Sequence, residues 1–204
     1  MMMDRAGTLD FILERYHLDI SGPLPLNIPM SRHRGFPELL RDLGYGQGVE
    51  VGVETGQYSE QLCKAIPGLK LYSVDAWTAY QGYRDYVSQK ELDGFFATAK
   101  KRLAPFDVTL IKGWSVEKAR LFDDQSLDFV YIDGNHTFEY VTADIAAWWP
   151  KVRPGGILAG HDFRRSNAGN CHVKDVVQAW AYSHNISPWF VISHDKSPSW
   201  MWVC

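Results

Sequence analysis

Several features that mark particular protein classes are missing from this chain of 204 residues. No apolar run approaches the roughly 18–20 residues that a membrane-spanning helix needs, and the N-terminus lacks the apolar stretch of a signal peptide. Only three cysteines are present, and their spacing is not that of a disulfide framework or a zinc site. We therefore predict a cytoplasmic protein that keeps its thiols reduced and has no membrane partner.

Neither sign of charge dominates the composition. Lys and Arg total 21 against 24 Asp and Glu, for a formal net charge of −3. This balance disfavours a general nucleic-acid binder. Hydrophobic residues at 46% and charged residues at 22% are typical of a globular chain, and they exclude disordered, collagen-like and coiled-coil classes. The eight tryptophans predict a large aromatic core, an aromatic-lined pocket, or both.

The first 46 residues differ from the rest. An amphipathic helix is predicted over 8–17. Residues 21–37 hold four of the ten prolines, so this stretch should be extended or turning, with Arg32, His33 and Arg34 exposed. We divide the chain into an N-terminal extension, 1–46, and a following domain, 47–204.

From Gln47 onward, strand-like and helix-like segments alternate, which predicts a parallel sheet covered on both faces. The last two strands are separated by too few residues for a helical crossover, so they should be antiparallel. The predicted strands are 48–52, 69–74, 107–111, 127–133, 156–160, 189–193 and 200–204. The predicted helices are 58–66, 85–103, 115–121, 137–149 and 173–183.

Such sheets bind ligands beyond the carboxyl ends of their strands. After the first strand, Gly52 and Gly56 allow a sharp turn and a close ligand approach, although a plain tight turn is the alternative. The dinucleotide pattern G-x-G-x-x-G is absent after this strand. Asp75 ends the second strand and could accept ribose hydroxyls or cap a helix. Trp114 and Ser115 follow the third strand. Trp114 could stack on a nucleobase or fill the core, and Ser115 could cap the next helix.

Four polar residues follow the next two strands. His136 lies just past a strand and close to Asp133, where it suits a general base. His161 and Asp162 end the neighbouring strand. Two carboxylates in one crevice need a cation or a proton between them, and Mg²⁺, Mn²⁺ or Fe²⁺ would fit these ligands. The alternative is structural: Asp162 caps a loop and His161 packs against it.

Three segments carry a resemblance to a known family. They read V-E-V-G-V-E-T-G-Q-Y-S at 49–59, D-F-V-Y-I-D-G-N-H-T-F-E-Y at 128–140 and W-W-P-K-V-R-P-G-G-I-L-A-G-H-D-F at 148–163. The chain resembles class I S-adenosylmethionine-dependent methyltransferases, and within them the small-molecule O-methyltransferase branch that often carries a divalent metal. The resemblance implies an α/β, Rossmann-like, doubly wound and mostly parallel seven-stranded sheet with an antiparallel C-terminal hairpin.

The resemblance also implies roles for individual residues. S-adenosylmethionine would bind through its methionine part at Glu50, Gly52 and Gly56, through its ribose at Asp75, and through its adenine near Trp114 and Ser115. Asp133 would touch the cofactor or ligate a metal together with His161 and Asp162. The branch usually has oxygen ligands at both of the last two positions, so His161 is a departure.

Methyl transfer to a small-molecule hydroxyl follows from this resemblance. His136 would remove the hydroxyl proton, or a metal at Asp133 and Asp162 would lower the hydroxyl pKa. A metal-dependent hydroxylase and a non-catalytic cofactor-binding protein are the alternatives on the same fold. Residues 21–37 and 77–86 are predicted to form a lid over the acceptor; otherwise, 1–46 would be a contact in a homo-oligomer.

Overall fold

The computed structural model describes residues 3–80, 88–166 and 171–204, which form one eight-stranded sheet with helices on both faces. The strands are β1 Leu26–Ile28, β2 Gln47–Val51, β3 Lys70–Asp75, β4 Val108–Lys112, β5 Leu127–Ile132, β6 Val152–Gly160, β7 Phe190–Ile192 and β8 Ser199–Val203. The helices are α1 Arg5–Tyr16, α2 Gly35–Asp42, α3 Gln57–Ala65, α4 Gln89–Leu103, α5 Ser115–Ala119, α6 Phe138–Trp148 and α7 Val173–Ser183.

The strand order is β1-β7-β8-β6-β5-β2-β3-β4. Strands β2 to β6 pair in parallel, and β8 runs antiparallel to both β6 and β7. The predicted parallel sheet and its antiparallel C-terminal pair are therefore confirmed. The chain leaves β2 toward β3 and β4, then returns to the other side of β2 with β5. The order reverses at that point, where sheets of this kind open a ligand crevice.

Buried side chains on the two faces of the sheet form two main hydrophobic clusters, because successive residues of a strand point to opposite faces. In β5, Phe129 and Tyr131 join the cluster that includes α1, α2 and α3, whereas Val130 and Ile132 join the cluster that includes α6 and α7. Each face is thus covered by helices. This two-sided burial holds the central strands rigid, and their carboxyl ends share one edge.

The N-terminal residues differ most from the prediction. We expected residues 21–37 to be extended or turning. Strand β1 within them is extended and adds an eighth strand to the sheet by pairing with β7, whereas the start of α2 was not expected. Pro37 does not prevent this helix because it lies in the first turn, where its missing N–H group would have no helical partner.

Two other predictions reach beyond the described residues. Helix α4 begins at Gln89 after a capping box between Ser88 and Glu91, whereas residues 85–87 of the predicted helix lie outside the described part. The same holds for residues 81–86 of the predicted lid. Within the described ranges, no helix combines the length and apolarity that crossing a bilayer requires.

Candidate active site

The carboxyl ends of the central strands open into a cavity of about 980 Å³. Pockets of up to about 1,000 Å³ accommodate drug-sized ligands, so the cavity has room for a nucleoside-sized cofactor and a small partner. Most of the residues predicted from the sequence line it. These are Glu50, Gly52, Asp75, Trp114, Ser115, Asp133 and His136. Gly56, His161 and Asp162 are not among the residues that line it.

The loop after β2 brings its backbone against the loop after β5. Gly52 has a φ of +87°, and a Cβ atom at this position would lie 2.1 Å from the carbonyl oxygen of Asp133. Gly56 has a φ of +75° and caps the start of α3. Glycine is required at Gly52 both by its conformation and by the lack of space.

Asp75 shapes the same loop. One carboxylate oxygen accepts hydrogen bonds from the backbone N–H groups of Val53, at 2.8 Å, and Glu54, at 2.9 Å. The other oxygen accepts from the N–H of Trp77 at 2.8 Å. A carboxylate has about four acceptor positions, so three are already occupied. Asp75 lines the pocket, but its established contacts are with the backbone of the loop, and a ribose contact stays a prediction.

Glu50 lies in the interior of β2 and is only 1% exposed. Its carboxyl group accepts a hydrogen bond from the hydroxyl of Ser59, which in turn contacts the hydroxyl of Ser73 at 2.8 Å. Burial raises the pKa of Glu50 to about 8, against the opposing effect of the Ser59 hydrogen bond. The carboxyl group is therefore mostly protonated at neutral pH, and in this form it can donate a hydrogen bond.

The buried carboxyl of Glu50 should make stability fall as the pH rises. Between pH 4.5, its ordinary pKa, and about 8, the folded chain holds a proton that the unfolded chain has released. At pH 9, we expect Glu50→Gln to be more stable than the wild type by a few kcal/mol of unfolding free energy, and therefore to unfold at a higher temperature. At pH 5, most of this difference in stability should disappear. Thermal unfolding at both values measures it.

Glu14→Gln, which alters an exposed glutamate of α1, is the matched control and should track the wild type at every pH. An advantage of Glu50→Gln that is equal at pH 5 and pH 9 would contradict the expectation.

Aromatic side chains form the wall of the cavity near α5. Trp114 packs edge-on against Tyr80, with ring centroids 4.8 Å apart. Ser115 does not cap α5, of which it is the first residue; its hydroxyl accepts a hydrogen bond from the indole N–H of Trp148 at 2.8 Å. The wall thus offers a flat aromatic surface beside a fixed hydroxyl, which suits a planar ring system such as a purine.

Asp133 lies at the centre of a charged cluster just after β5. Its Oδ2 accepts a hydrogen bond from Nη1 of Arg32 at 2.7 Å, and its Oδ1 lies 3.5 Å from Nε2 of His136 and 3.4 Å from Nδ1 of His161. Burial alone would raise the pKa of Asp133, but the two imidazoles and the Arg32 charge outweigh it and hold the pKa well below its usual range. Asp133 is therefore ionised.

Asp162 completes the cluster from the end of β6. Its Oδ1 accepts hydrogen bonds from Arg164, at 2.8 Å, and from the hydroxyl of Ser197. Its Oδ2 lies 3.1 Å from Nε2 of His136 and 3.4 Å from Nδ1 of His161. Both imidazoles thus face the two carboxylates that the sequence predicted to share a crevice.

The compact ligand set differs from the predicted one. The ligand atoms of Asp133, His136 and Asp162 all lie within 4.8 Å of one another, so His136 joins this set where His161 was expected. Nε2 of His136 is buried and has no hydrogen-bond partner among the described residues. A buried nitrogen without a partner, facing two carboxylate oxygens, fits a divalent cation. His161 remains in contact with both carboxylates.

Arg32 was not among the site residues predicted from the sequence. We expected it to be exposed, but only 14% of its side chain is, because it enters the cavity and pairs with Asp133. The only indication in the sequence was the predicted pair of carboxylates. Such a pair predicts a positive charge nearby but does not identify the residue or ion that provides it.

Comparisons with known proteins agree with this geometry. A family model described as a methyltransferase domain matches residues 49–163. An O-methyltransferase from Bacillus cereus, solved with S-adenosylhomocysteine, has a TM-score of 0.62 at 16% identity, and the match covers 97% of this chain and 91% of that one.

The O-methyltransferase TomG from Streptomyces achromogenes, which takes part in tomaymycin synthesis and was solved with S-adenosylmethionine, has a TM-score of 0.54 at 18% identity, with 99% of each chain covered. These likenesses show a shared fold. Among curated proteins, none matches the chain significantly in sequence. Because the family model spans more than half of the chain, this protein belongs to the methyltransferase domain family.

Proposed function

We propose that the protein transfers a methyl group from S-adenosylmethionine to a hydroxyl group of a small molecule. The observation that carries this proposal is the junction of Gly52 with Asp133, since it sets the glycine loop, where the cofactor would bind, directly beside the His136 cluster. The structural neighbours from Bacillus cereus and Streptomyces achromogenes, both O-methyltransferases solved with this cofactor or its product, support it.

In this proposal, each wall of the cavity takes one part of the cofactor. The methionine part would lie along Glu50, Gly52 and Gly56. The ribose would use the remaining acceptor position of Asp75. The adenine would lie against Trp114, near Ser115.

The sulfonium is already electrophilic, so the protein needs mainly to align the acceptor hydroxyl with the methyl group. His136 would take the hydroxyl proton. Asp133 and Asp162 would stabilise the imidazolium that results, because both carboxylates lie within 3.5 Å of its Nε2. Closure of the site from water would limit competing reactions.

Binding and transfer can be tested separately. Calorimetry with S-adenosylhomocysteine measures cofactor binding. Incubation with radiolabelled S-adenosylmethionine and a panel of phenols, catechols and hydroxy acids measures transfer. Binding together with label in a hydroxylated acceptor supports the proposal. Failure to bind S-adenosylhomocysteine at millimolar concentration would overturn it, and binding with transfer to no acceptor of any class would favour the non-catalytic alternative.

As the alternative to direct proton removal by His136, we propose that a divalent cation binds at Asp133, His136 and Asp162, because a ring nitrogen that holds a metal cannot also accept a proton. When bound, it would act as a Lewis acid that lowers the pKa of the acceptor hydroxyl. The oxygen and imidazole donors suit Mg²⁺ or Mn²⁺. The pairing of Asp133 with Arg32 leaves its Oδ1 directed at the cluster, so one oxygen stays available.

Removal of metal should abolish transfer if this cation takes part. We expect a chelator to stop turnover, and Mg²⁺ or Mn²⁺ to restore it, while S-adenosylhomocysteine affinity changes little. Calorimetric titration of the stripped protein with Mn²⁺, comparing wild type with Asp162→Asn, gives a readout that does not depend on activity. Full turnover in chelator would refute a catalytic metal and leave His136 as the base.

For the N-terminal extension, we propose a part in enclosing the acceptor. Arg32 and His33 line the cavity, and His33 contacts Gln61 of α3 at 2.9 Å. This contact supports a closing role for the segment at Arg32 and His33, whereas β1 of the extension 1–46 belongs to the same sheet as the domain at 47–204. The composition, with few cysteines, supports a cytoplasmic location.

A further inference from the structure

The cavity is strongly acidic, and this decides which of its residues can bind an anion. Seven carboxyl groups line it, and among the described lining residues Arg32 is the only Arg or Lys. A negatively charged ligand group entering this cavity would be repelled by the ionised carboxylates among these groups; Glu50, whose pKa is raised to about 8, is mostly protonated at neutral pH. Arg32 offers the one permanent positive charge in that lining. The carboxyl groups are those of Glu50, Glu54, Asp75, Glu117, Asp133, Glu139 and Asp144.

Arg32 is held firmly before any ligand arrives. Its backbone N–H donates to Oδ2 of Asp195 at 2.5 Å, and its carbonyl oxygen accepts from the hydroxyl of Tyr58 at 3.2 Å. Its guanidinium lies over the Tyr58 ring, 4.8 Å from the centroid. Because the side chain is already ordered, a ligand that pairs with it loses little free energy to ordering.

Only one of the three nitrogens of the Arg32 guanidinium makes hydrogen bonds to the described residues. Nη1 donates to Asp133 at 2.7 Å and to the hydroxyl of Tyr131 at 3.3 Å. Nε is buried without a hydrogen-bond partner, and Nη2 makes no hydrogen bond to the residues that the structure describes. The N–H groups of Nε and Nη2 share one edge of the guanidinium, and such an edge binds both oxygens of a carboxylate. A buried donor left unsatisfied is costly, which indicates that a ligand completes it.

We propose that Arg32 recognises a carboxylate group of a ligand bound in the cavity. The identity of that ligand rests on the proposed function. Two sources bring the same chemistry: the α-carboxylate of the cofactor's methionine part, and a carboxylate on the acceptor. Tyr58, which lies under the guanidinium, is two residues beyond Gly56. The guanidinium is therefore close to the loop where the methionine part of the cofactor would bind.

The cofactor source is tested with two compounds that differ in the amino-acid tail. S-adenosylhomocysteine carries the carboxylate, and 5′-methylthioadenosine lacks it. If Arg32 binds the cofactor carboxylate, Arg32→Met should weaken S-adenosylhomocysteine binding by about 10- to 100-fold and leave methylthioadenosine binding unchanged. Unchanged methylthioadenosine binding also shows that the adenosine end of the site is intact.

Two further variants keep the result interpretable. Arg32→Lys retains a positive charge beside Asp133 but cannot donate two parallel hydrogen bonds to a carboxylate. Its affinity for S-adenosylhomocysteine should therefore lie between those of the wild type and Arg32→Met. Arg34→Met removes an arginine from the same segment that is 86% exposed, does not line the cavity and pairs with Glu38. It should bind both compounds as the wild type does.

The acceptor source is tested on protein saturated with S-adenosylhomocysteine. Benzoate and benzamide have nearly the same shape and differ in charge. If Arg32 faces the acceptor, the wild type should bind benzoate at least about 10-fold more tightly than benzamide, and Arg32→Met should lose that preference. If neither the S-adenosylhomocysteine affinity nor a benzoate preference depends on Arg32, the proposal is wrong. A wild type that does not bind S-adenosylhomocysteine would instead refute the proposed function.

Discussion

Gly52→Ala is expected to weaken binding of S-adenosylhomocysteine by at least about 100-fold. A Cβ atom at this position would lie 2.1 Å from the carbonyl oxygen of Asp133, 2.4 Å from its carbonyl carbon and 2.8 Å from the nitrogen of Gly134. All three are backbone atoms, which cannot move aside as a flexible side chain can. The loops after β2 and β5 must therefore separate, and these two loops are proposed to hold the cofactor and the reacting groups.

The conformational cost of alanine must be separated from this clash. Gly68→Ala serves as the control, because Gly68 has a φ of +80°, close to the +87° of Gly52, and its Cβ would meet nothing within 4 Å. Both variants should lose about 1 kcal/mol of stability from the left-handed backbone. Only Gly52→Ala should be destabilised further, and only this variant should lose affinity for S-adenosylhomocysteine. Calorimetry and thermal unfolding of the two variants side by side measure the difference, and equal behaviour would refute the steric argument.

The parts of this site that follow from local pattern could be predicted from the sequence. Asp75 and Asp133 come directly at the ends of apolar strands, and parallel strands bring their carboxyl ends to one edge, so the sequence order already implied a shared crevice. Gly52 could be placed at the turn for the same reason. Its contact with Asp133 depends on the pairing of β2 with β5, which local pattern does not specify.

Long-range contacts set the limit of that prediction. Arg32 and Asp133 are 101 residues apart in the chain, and nothing in the proline-rich sequence around Arg32 distinguishes it from Arg34, which is exposed. Strand β1 has only three residues, too few to show a period of two, and its place beside β7 depends on tertiary packing. The sequence could indicate that the acidic crevice needed a cation but not which residue would provide it.

The positions of the two candidate histidines relative to the carboxylates could not be predicted for a related reason. The resemblance implied that His161 and Asp162 share one site, whereas neighbouring residues of a regular strand point to opposite faces. Asp162 has a φ of +52°, outside the strand conformation, and both side chains reach Asp133 or His136. Backbone geometry of this kind leaves no trace in the order of residue types.

His136→Ala should lower turnover by about 10²- to 10⁴-fold while leaving S-adenosylhomocysteine affinity unchanged. Nε2 of His136 lies 3.1 Å from Asp162 and 3.5 Å from Asp133, and the side chain is 25% exposed at the cavity wall. Nε2 is thus placed beside the cavity wall, in the position from which the imidazole would accept the hydroxyl proton. The expected loss is therefore in kcat, measured with an acceptor identified in the transfer panel.

The same variant separates the two roles proposed for this side chain. If His136 is the base, His136→Ala should bind Mn²⁺ nearly as tightly as the wild type, and excess Mn²⁺ should not restore its turnover. If it acts only as a metal ligand, Mn²⁺ affinity and turnover should fall together, and excess Mn²⁺ should restore activity. His184→Ala, which alters an exposed histidine stacked on Trp180 away from the cavity, should change neither quantity. Full turnover in His136→Ala would exclude both roles and leave proton removal to Asp133, to water or to His161, whose Nδ1 lies 3.4 Å from both carboxylates.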